Sequence, residues 1–445
     1  MAKQNDPLSI RALEGSAALA SKAWPVMSRL LPERLEIDPN VSVWAAQAGP
    51  YTPRPPLEGT VTADLAIIGG GFTGVSTAYY VGERLPGRKV VLLEAASLAN
   101  GASGRNGGLV LNWVNGIDNS DLELTRRIYG LTSAGIQAMR ALIERHRLPV
   151  QHRFDGTLTI YTNAKRAEAA HAEAERLGAI GVPVRFLRRE ELAGRFEPRG
   201  IHGALFEPGT GQINGAQLVR SMRPVLEERG VTIYEQTPVL RVRAGREIRL
   251  TTPRGEVRAR AVVLATNGYT SKLGFFRDAL FPLHSSVLAT EPLTPEQREA
   301  LGWRAYAGFS DDLDRISYGS MTSDGRVIFG GGSNQSYAYL FNNRTRLSAD
   351  EPTARRGQAA IARTMASYFP GAPALPIAHR WSGVLGITLD RRPLWGRCGE
   401  EGNIYYALGY SGHGVALANL AGEFIADLYA GDDSRWRGLP FYQGG

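Results

Sequence analysis

Apolar positions along the chain fall into short continuous runs separated by helical stripes. Ala66-Ile67-Ile68 is a run of the kind found in strands buried on both faces of a parallel sheet. Val75–Leu85 carries a helical pattern, and Lys89–Leu93 is a second apolar run ending at Glu94. The order predicts a strand–helix–strand unit. Asp121–Arg147 is a helix whose apolar face includes Leu122, Leu124, Ile128, Leu131, Ile136, Met139 and Leu142. His152–Thr162 alternates as one strand, Ala164–Leu177 reads as a helix, Val184–Leu187 as a short strand and Arg189–Phe196 as a short helix. Ile201–Gln212 is punctuated by glycine and is expected to return the chain to its first domain. Gly215–Arg229 is a helix with Leu218, Val219, Met222, Val225 and Leu226 as its core face. Strands are expected at Val231–Tyr234, Pro238–Val242, Ile248–Thr251, Gly255–Arg260 and Ala261–Ala265, the last of them parallel to the first strand and beside it.

From Leu273 the pattern changes. Pro282–Thr290, Ile316–Ser320 and Arg326–Gly331 alternate, and Thr353–Tyr368 is a long helix. An antiparallel sheet with a helical cover, inserted into the first domain, accounts for this. Asn403–Leu408 is then a buried strand, Gly409–Gly414 a turn and Val415–Leu428 a closing helix. At the other end, Leu13, Ala17, Ala20, Trp24, Met27 and Leu31 share a helical stripe that Pro25 interrupts. That stripe over residues 8–31 either docks on its own protein or meets a partner or membrane surface. Trp44 and the proline-rich Tyr51–Leu57 read as an extended arm.

Composition narrows the class. Of 445 residues, 43% are hydrophobic and 21% charged, as in ordinary globular proteins. The formal net charge of +8 is scattered, with no Lys/Arg block, so no nucleic-acid partner is expected. The single cysteine, Cys398, excludes an internal disulfide and a cysteine-based metal cluster, and no metal site is expected. No apolar run is long enough to cross a bilayer, and no charged-then-apolar leader pattern opens the chain, which makes a cytoplasmic location the expectation.

The chemistry is carried by glycine. Gly69, Gly71 and Gly74 form G-x-G-x-x-G between a strand and a helix. Gly69 suits the tight turn, Gly71 lets backbone approach a pyrophosphate, and Gly74 lets the helix pack close. Phe72 and Thr73 begin that helix, whose free N–H groups and dipole favour phosphate. Glu94, followed by Ala95, stands where a carboxylate accepts hydrogen bonds from ribose hydroxyls and repels a 2′-phosphate. Ala99–Leu109 (ANGASGRNGGL) is a second ligand-approach loop, offering Ala102, Ser103, Gly104, Arg105, Asn106, Gly107, Gly108 and Leu109. Thr266-Asn267-Gly268 is a third turn, and Gly409, Gly412, His413, Gly414 and Val415 form a fourth at a helix start. Val239 and Gly383 complete the candidate cofactor contacts. Four turns spread over the chain suit a long dinucleotide. The last helix N-terminus suits the electron-rich edge of a reduced flavin, which favours FAD over NAD. Gly330-Gly331-Gly332 lies in an antiparallel stretch, so no second dinucleotide domain is expected, and electrons come from the substrate itself.

These motifs, with SVWAAQAGPYTPRPPLEG, LATNGY, SDGRVIFGGG, Trp381-Ser382-Gly383, Thr388-Leu389-Asp390 before Pro393, and GYSGHGV, resemble the FAD-dependent D-amino-acid-oxidase-like family. That family includes sarcosine and glycine oxidases, and the gamma-glutamylputrescine oxidoreductase-like members are the nearest in look. The resemblance runs from about Val43 onward and leaves the first forty residues outside. It implies an α/β (mixed α+β) fold: a Rossmann-like FAD-binding domain with an inserted antiparallel-sheet substrate domain. The expected division is an extension and arm at 1–60, FAD-binding segments at 61–150, 201–272 and 377–445, and substrate segments at 151–200 and 273–376. It also implies oxidation of a C–N bond in an amine or amino acid, with hydride passing to flavin N5 and water hydrolysing the imine. The covalent flavin cysteine of sarcosine oxidases has no counterpart here, so non-covalent FAD is expected.

Such chemistry needs a positioned neutral amine more than a strong acid or base. Tyr318 and His284 from the inserted sheet, Trp381, Tyr410 and His413 are the candidates near the reacting centre. Arg315, Arg326 and Arg391 are candidates to clamp an anionic group, although Arg326 suits a turn after Asp324-Gly325 better. Oxygen, a quinone or a protein carrier would accept the electrons. A membrane-peripheral FAD dehydrogenase of a hydroxyl substrate, a flavin-dependent tRNA-modifying enzyme and a non-catalytic flavin subunit stand as alternatives.

Overall fold

The computed structural model describes residues 35–340 and 343–443. Two 9-stranded sheets and a small 3-stranded sheet organise them. In the first, Thr232–Tyr234, Val90–Leu93, Gly59–Ile68, Gly255–Leu264 and Ile404–Leu408 run parallel in that spatial order. Ile67 pairs with Leu92 on one side and Val263 on the other, and Val263 pairs in turn with Tyr405. These central strands are buried on both faces, which is why their sequences are unbroken apolar runs. The expectation that the Ala261–Ala265 run lies beside the first strand holds.

Helices Phe72–Arg84 and Gly414–Ala430 cover one face of this sheet and cross each other closely. A Cβ at Gly422 would stand 2.2 Å from Ser76 Oγ, so glycine is required at the crossing. Ser76 Oγ donates to the Asn419 carbonyl at 2.6 Å and fixes their register.

The second sheet is mostly antiparallel. Leu280–Thr290 pairs along its length with Ile377–Thr388, and Val327–Gly331, Ser317–Met321 and Gly308–Asp311 follow. Thr157–Tyr161, Gly203–Glu207 and Arg185–Arg188 extend it. Helix Pro352–Tyr368 covers it over an aromatic core in which Trp303 stacks on Phe369 at 5.8 Å.

Several expectations shift. His152–Thr162 is two strands in two sheets, His152–Arg153 and Thr157–Tyr161. Gly156 breaks it at φ +85°, with the Phe206 ring filling the space of a Cβ. Gly255–Arg260 and Ala261–Ala265 form one strand, Gly255–Leu264, whose first half takes the Ile248–Thr251 strand on its free edge. Of Pro238–Val242 only the end is laddered, as Arg241–Arg243. The return to the first layer comes at Gly211–Ile213 rather than Ile201, because Gly203–Glu207 pairs within the second sheet. Ile377–Thr388, allotted to the first domain, also belongs to the second sheet. Trp44 is not on an extended arm but on the short helix Val43–Gln47, capped by Ser42 and fully buried. The stripe over residues 8–31 lies outside the described residues.

Candidate cofactor and substrate cavity

The parallel strands Gly59–Ile68, Val90–Leu93, Gly255–Leu264 and Ile404–Leu408 deliver their following loops to one edge of the first sheet. A cavity of about 760 Å³ runs from that edge to the second sheet. Gly69 turns the chain at φ +112° and donates its N–H to the Leu93 carbonyl at 2.8 Å. A Cβ at Gly74 would stand 1.9 Å from the Gly69 carbonyl oxygen, so Gly74 sets the approach of helix to turn and does not itself line the cavity. Gly71, Phe72 and Thr73 line it.

Glu94 and Ala95 follow in the lining. One Glu94 oxygen accepts the Gly70 N–H at 2.7 Å and the other the Ala96 N–H at 2.9 Å. Burial raises the Glu94 pKa, and these backbone N–H groups oppose the rise. Glu94 thus braces the glycine turn while facing the cavity.

The second loop is folded on itself and tied to the first. Ser103 Oγ accepts the Phe72 N–H at 2.8 Å. Asn106 Nδ2 donates to the Ala102 and Ser103 carbonyls, and its Oδ1 accepts the Gly108 N–H at 2.8 Å. Ala102, Ser103, Arg105, Asn106, Gly107 and Leu109 line the cavity. Gly104 and Gly108 do not: a Cβ at Gly104 would meet the Ala99 carbonyl at 2.2 Å, and one at Gly108 the Trp44 ring at 2.7 Å. They let the loop close against its supports.

Asn267, at φ +39°, accepts the Gly409 N–H on Oδ1 at 3.0 Å and joins the third turn to the fourth. Thr266, Asn267, Gly268, Val239 and Gly383 line the cavity, as do Gly412, His413, Gly414 and Val415. Gly409, at φ +70°, shapes the last turn from behind. Helix Gly414–Ala430 has no side-chain hydrogen bond at its N-cap, His413, so its first N–H groups remain available at the cavity wall.

Three of the five candidates for the reacting centre reach the cavity. Tyr318 lines it, shares a hydrogen bond with Ser285 Oγ at 3.0 Å, and is pushed up to about 12 by burial. His413 is held down to about 4 by burial, so it is neutral. The helix dipole invoked from sequence has the same sign, but desolvation is the cause. Asn115 Nδ2 donates to the Ser411 carbonyl at 2.7 Å, which fixes the amide, and also to His413 Nδ1 at 2.8 Å. Nδ1 is therefore the acceptor and Nε2 carries the ring proton. Tyr410 lines the wall, but its hydroxyl is bound to Thr73 Oγ1 at 2.7 Å and to the Ala407 carbonyl at 3.0 Å. It braces two helix starts.

The other two do not reach it. His284 is a buried sheet residue hydrogen-bonded to the Arg344 carbonyl at 2.9 Å, and the Trp381 indole donates to the Arg105 carbonyl at 2.8 Å. Their catalytic assignments are corrected to supporting ones. Arg315 and Arg391 line the cavity and are exposed. Arg326 is outside it, paired with Asp324 at 3.0 Å and Glu291 at 3.1 Å, and fixes a turn. Sequence reasoning missed Asn115, Ser285, Tyr337 and Leu385 in the lining, none of which sits in a glycine motif. Leu35 and Ile37, also in the lining, were passed over with the N-terminal extension.

The residues fit FAD. The cavity is elongated, carries an acid at the first turn, meets two helix N-termini and has glycine where a Cβ would intrude. Cys398, the one cysteine, does not line it. Among the described residues no cluster of three or more His, Cys, Asp and Glu could hold a metal, and no helix is long and apolar enough to cross a membrane.

Known proteins agree with this geometry. The chain is 29% identical over 421 residues to the gamma-glutamylputrescine oxidoreductase of Escherichia coli (strain K12), covering 90% of this chain and 92% of that one. It is 30% identical over 408 residues to a probable oxidoreductase, OrdL, of Rhizobium meliloti (strain 1021), covering 89% of each. The crystal structure of glycine oxidase from Geobacillus kaustophilus superposes with a TM-score of 0.72 at 22% identity, over 86% of this chain and 98% of that one, and shares the fold. The model of the DAO family, described as FAD dependent oxidoreductase, matches residues 64–428. The chain belongs to this family of FAD-dependent oxidoreductases, and its cofactor is FAD.

Proposed function

We propose that the protein oxidises a C–N bond of a small amine or amino acid, releasing an imine that water hydrolyses. One observation carries the choice of an amine over a hydroxyl substrate. The only carboxylates in the cavity lining are Glu94, engaged by the first glycine turn, and Asp314, which is exposed. The remaining titratable groups at the reacting end, Tyr318 and His413, are neutral. An alcohol must lose its O–H proton as it is oxidised and so needs a base. An amine in its free-base form needs none, since the nitrogen lone pair drives the loss of hydride. The 29% identity to a gamma-glutamylputrescine oxidoreductase supports the same reading.

FAD, when bound, supplies the hydride acceptor and takes up both electrons. The chain's own residues do the positioning. His413 Nε2–H and the Tyr318 hydroxyl present neutral hydrogen-bonding groups to the substrate. Leu283, Ile316 and Leu385 line the wall around them and exclude water. Arg315 and Arg391 meet an anionic group on the substrate. FAD is held without a covalent cysteine bond, and oxygen, a quinone or a protein carrier removes the electrons.

The test is the absorbance spectrum of the purified protein, followed by anaerobic addition of a panel of amines, amino acids and hydroxy acids. Flavin that bleaches with an amine and recovers in air supports an amine oxidase. Bleaching without recovery assigns another acceptor. Bleaching by hydroxy acids alone overturns the proposal.

A further inference from the structure

The family model begins at residue 64, yet Leu35 and Ile37 line the cofactor cavity. The segment that carries them is bound on two sides. On one side it grips the second glycine loop. The Asp38 carbonyl accepts Arg105 Nη2 at 2.6 Å and Asn100 Nδ2 at 3.0 Å. Asn40 Nδ2 donates to the Ala99 and Gly104 carbonyls at 3.1 and 3.0 Å, and Ser42 Oγ donates to the Gly104 carbonyl at 2.6 Å. The Trp44 indole donates to the Asn106 carbonyl at 2.7 Å.

On the other side the segment is latched to a loop beyond the second sheet. The Asp38 carboxylate accepts the Leu347 N–H at 2.9 Å and pairs with Arg346 at 3.0 Å. Thr345 Oγ1 donates to the Glu36 carbonyl at 3.0 Å. His284 reaches this loop from its strand through the Arg344 carbonyl. Asp38 is thus the point where the cofactor layer and the second sheet are joined outside the family domain.

We propose that Leu35–Trp44 is a cofactor-retaining strap: Leu35 and Ile37 wall the FAD cavity, and the Asp38 carboxylate latches the strap across it to the 343–347 loop. The proposal rests on the assignment of FAD to this cavity. Release of FAD then requires the strap to open. Breaking the latch speeds release without touching any group at the reacting end.

The test uses the full-length holoprotein and follows the rise of free-flavin fluorescence after dilution into buffer. Asp38→Ala removes the carboxylate and keeps the backbone carbonyl that holds Arg105. Leu35→Ser with Ile37→Ser removes the apolar wall and keeps the latch. Each is expected to release FAD at least about tenfold faster, which corresponds to about 1.4 kcal/mol. Each is also expected to keep the far-ultraviolet circular dichroism of the parent and to regain the flavin spectrum when excess FAD is added. Release at the parental rate from both variants overturns the strap. If Asp38→Ala does not fold, the Leu35/Ile37 variant alone decides, because its changes leave every hydrogen bond of the latch in place. A parent protein that carries no flavin and takes up none would instead overturn the cofactor assignment itself.

Discussion

At the reacting end of the cavity, two neutral side chains set the expected pH behaviour. His413 has a folded-state pKa of about 4 against an ordinary 6.5, through burial. Its neutral form is favoured by folding, so this contribution to stability is full above pH ~6.5 and is lost as pH falls through about 4. The loss is on the order of 3 kcal/mol when complete. His413→Gln should remove it: urea unfolding at pH 7 and at pH 4 should show a smaller fall in stability for the variant than for the parent. An equal fall would mean that His413 does not stay neutral in the folded protein. Tyr318, raised to about 12, keeps its proton throughout the working range. Tyr318→Phe should lower kcat/KM about tenfold, the worth of one neutral hydrogen bond of ~1–1.5 kcal/mol, with flavin content unchanged. Unchanged kcat/KM would show that the hydroxyl meets only Ser285.

At the scale of elements, the glycine turns were legible because each demands a residue type. Gly69 needs a left-handed backbone, and Gly74 has no room for a methyl group. The sequence also placed Tyr318 and His413 at the right wall. It misplaced His284 and Trp381, since an aromatic or a histidine on a buried strand has the same local pattern whichever face it presents. Only pairing across the sheet distinguishes them: His284 stands opposite Ala338 and Val384, and Trp381 opposite Val287. The first two turns offer a direct test of their coupling. A Cβ at Gly71 would lie 2.7 Å from Ser103 Oγ but 3.6 Å from Ser103 Cβ. Gly71→Ala should therefore weaken FAD binding, and adding Ser103→Ala should recover part of the loss, although Ser103→Ala alone removes the bond to the Phe72 N–H. FAD titration of the three apoproteins measures this. Strictly additive losses would show that the two turns do not meet as described.

Across the whole molecule, the chain crosses between the two layers several times, and those crossings were the least legible feature. Short strands such as Gly203–Glu207 and Gly211–Ile213 look alike in sequence, yet they enter different sheets. Their partners are fixed by neighbours distant in the chain. The consequence is a cavity whose walls come from both layers: Gly69 and Glu94 from the first, Tyr318 and Ser285 from the second, with Asn267 and Gly409 tied between turns. A ligand that fills such a cavity binds the folded state and not the unfolded chain. It should therefore stabilise by about 4 kcal/mol when free FAD is a thousandfold above its Kd. Both layers should share that gain. Trp395 lies in the core of the first layer and Trp303 in that of the second, so variants keeping one or the other report each layer by fluorescence. Both reporters should melt several degrees higher as FAD is added to the apoprotein, and the shift should grow with the logarithm of its concentration. A shift confined to the Trp395 reporter would mean that FAD stabilises the parallel layer alone and that the second sheet contributes no wall to its site.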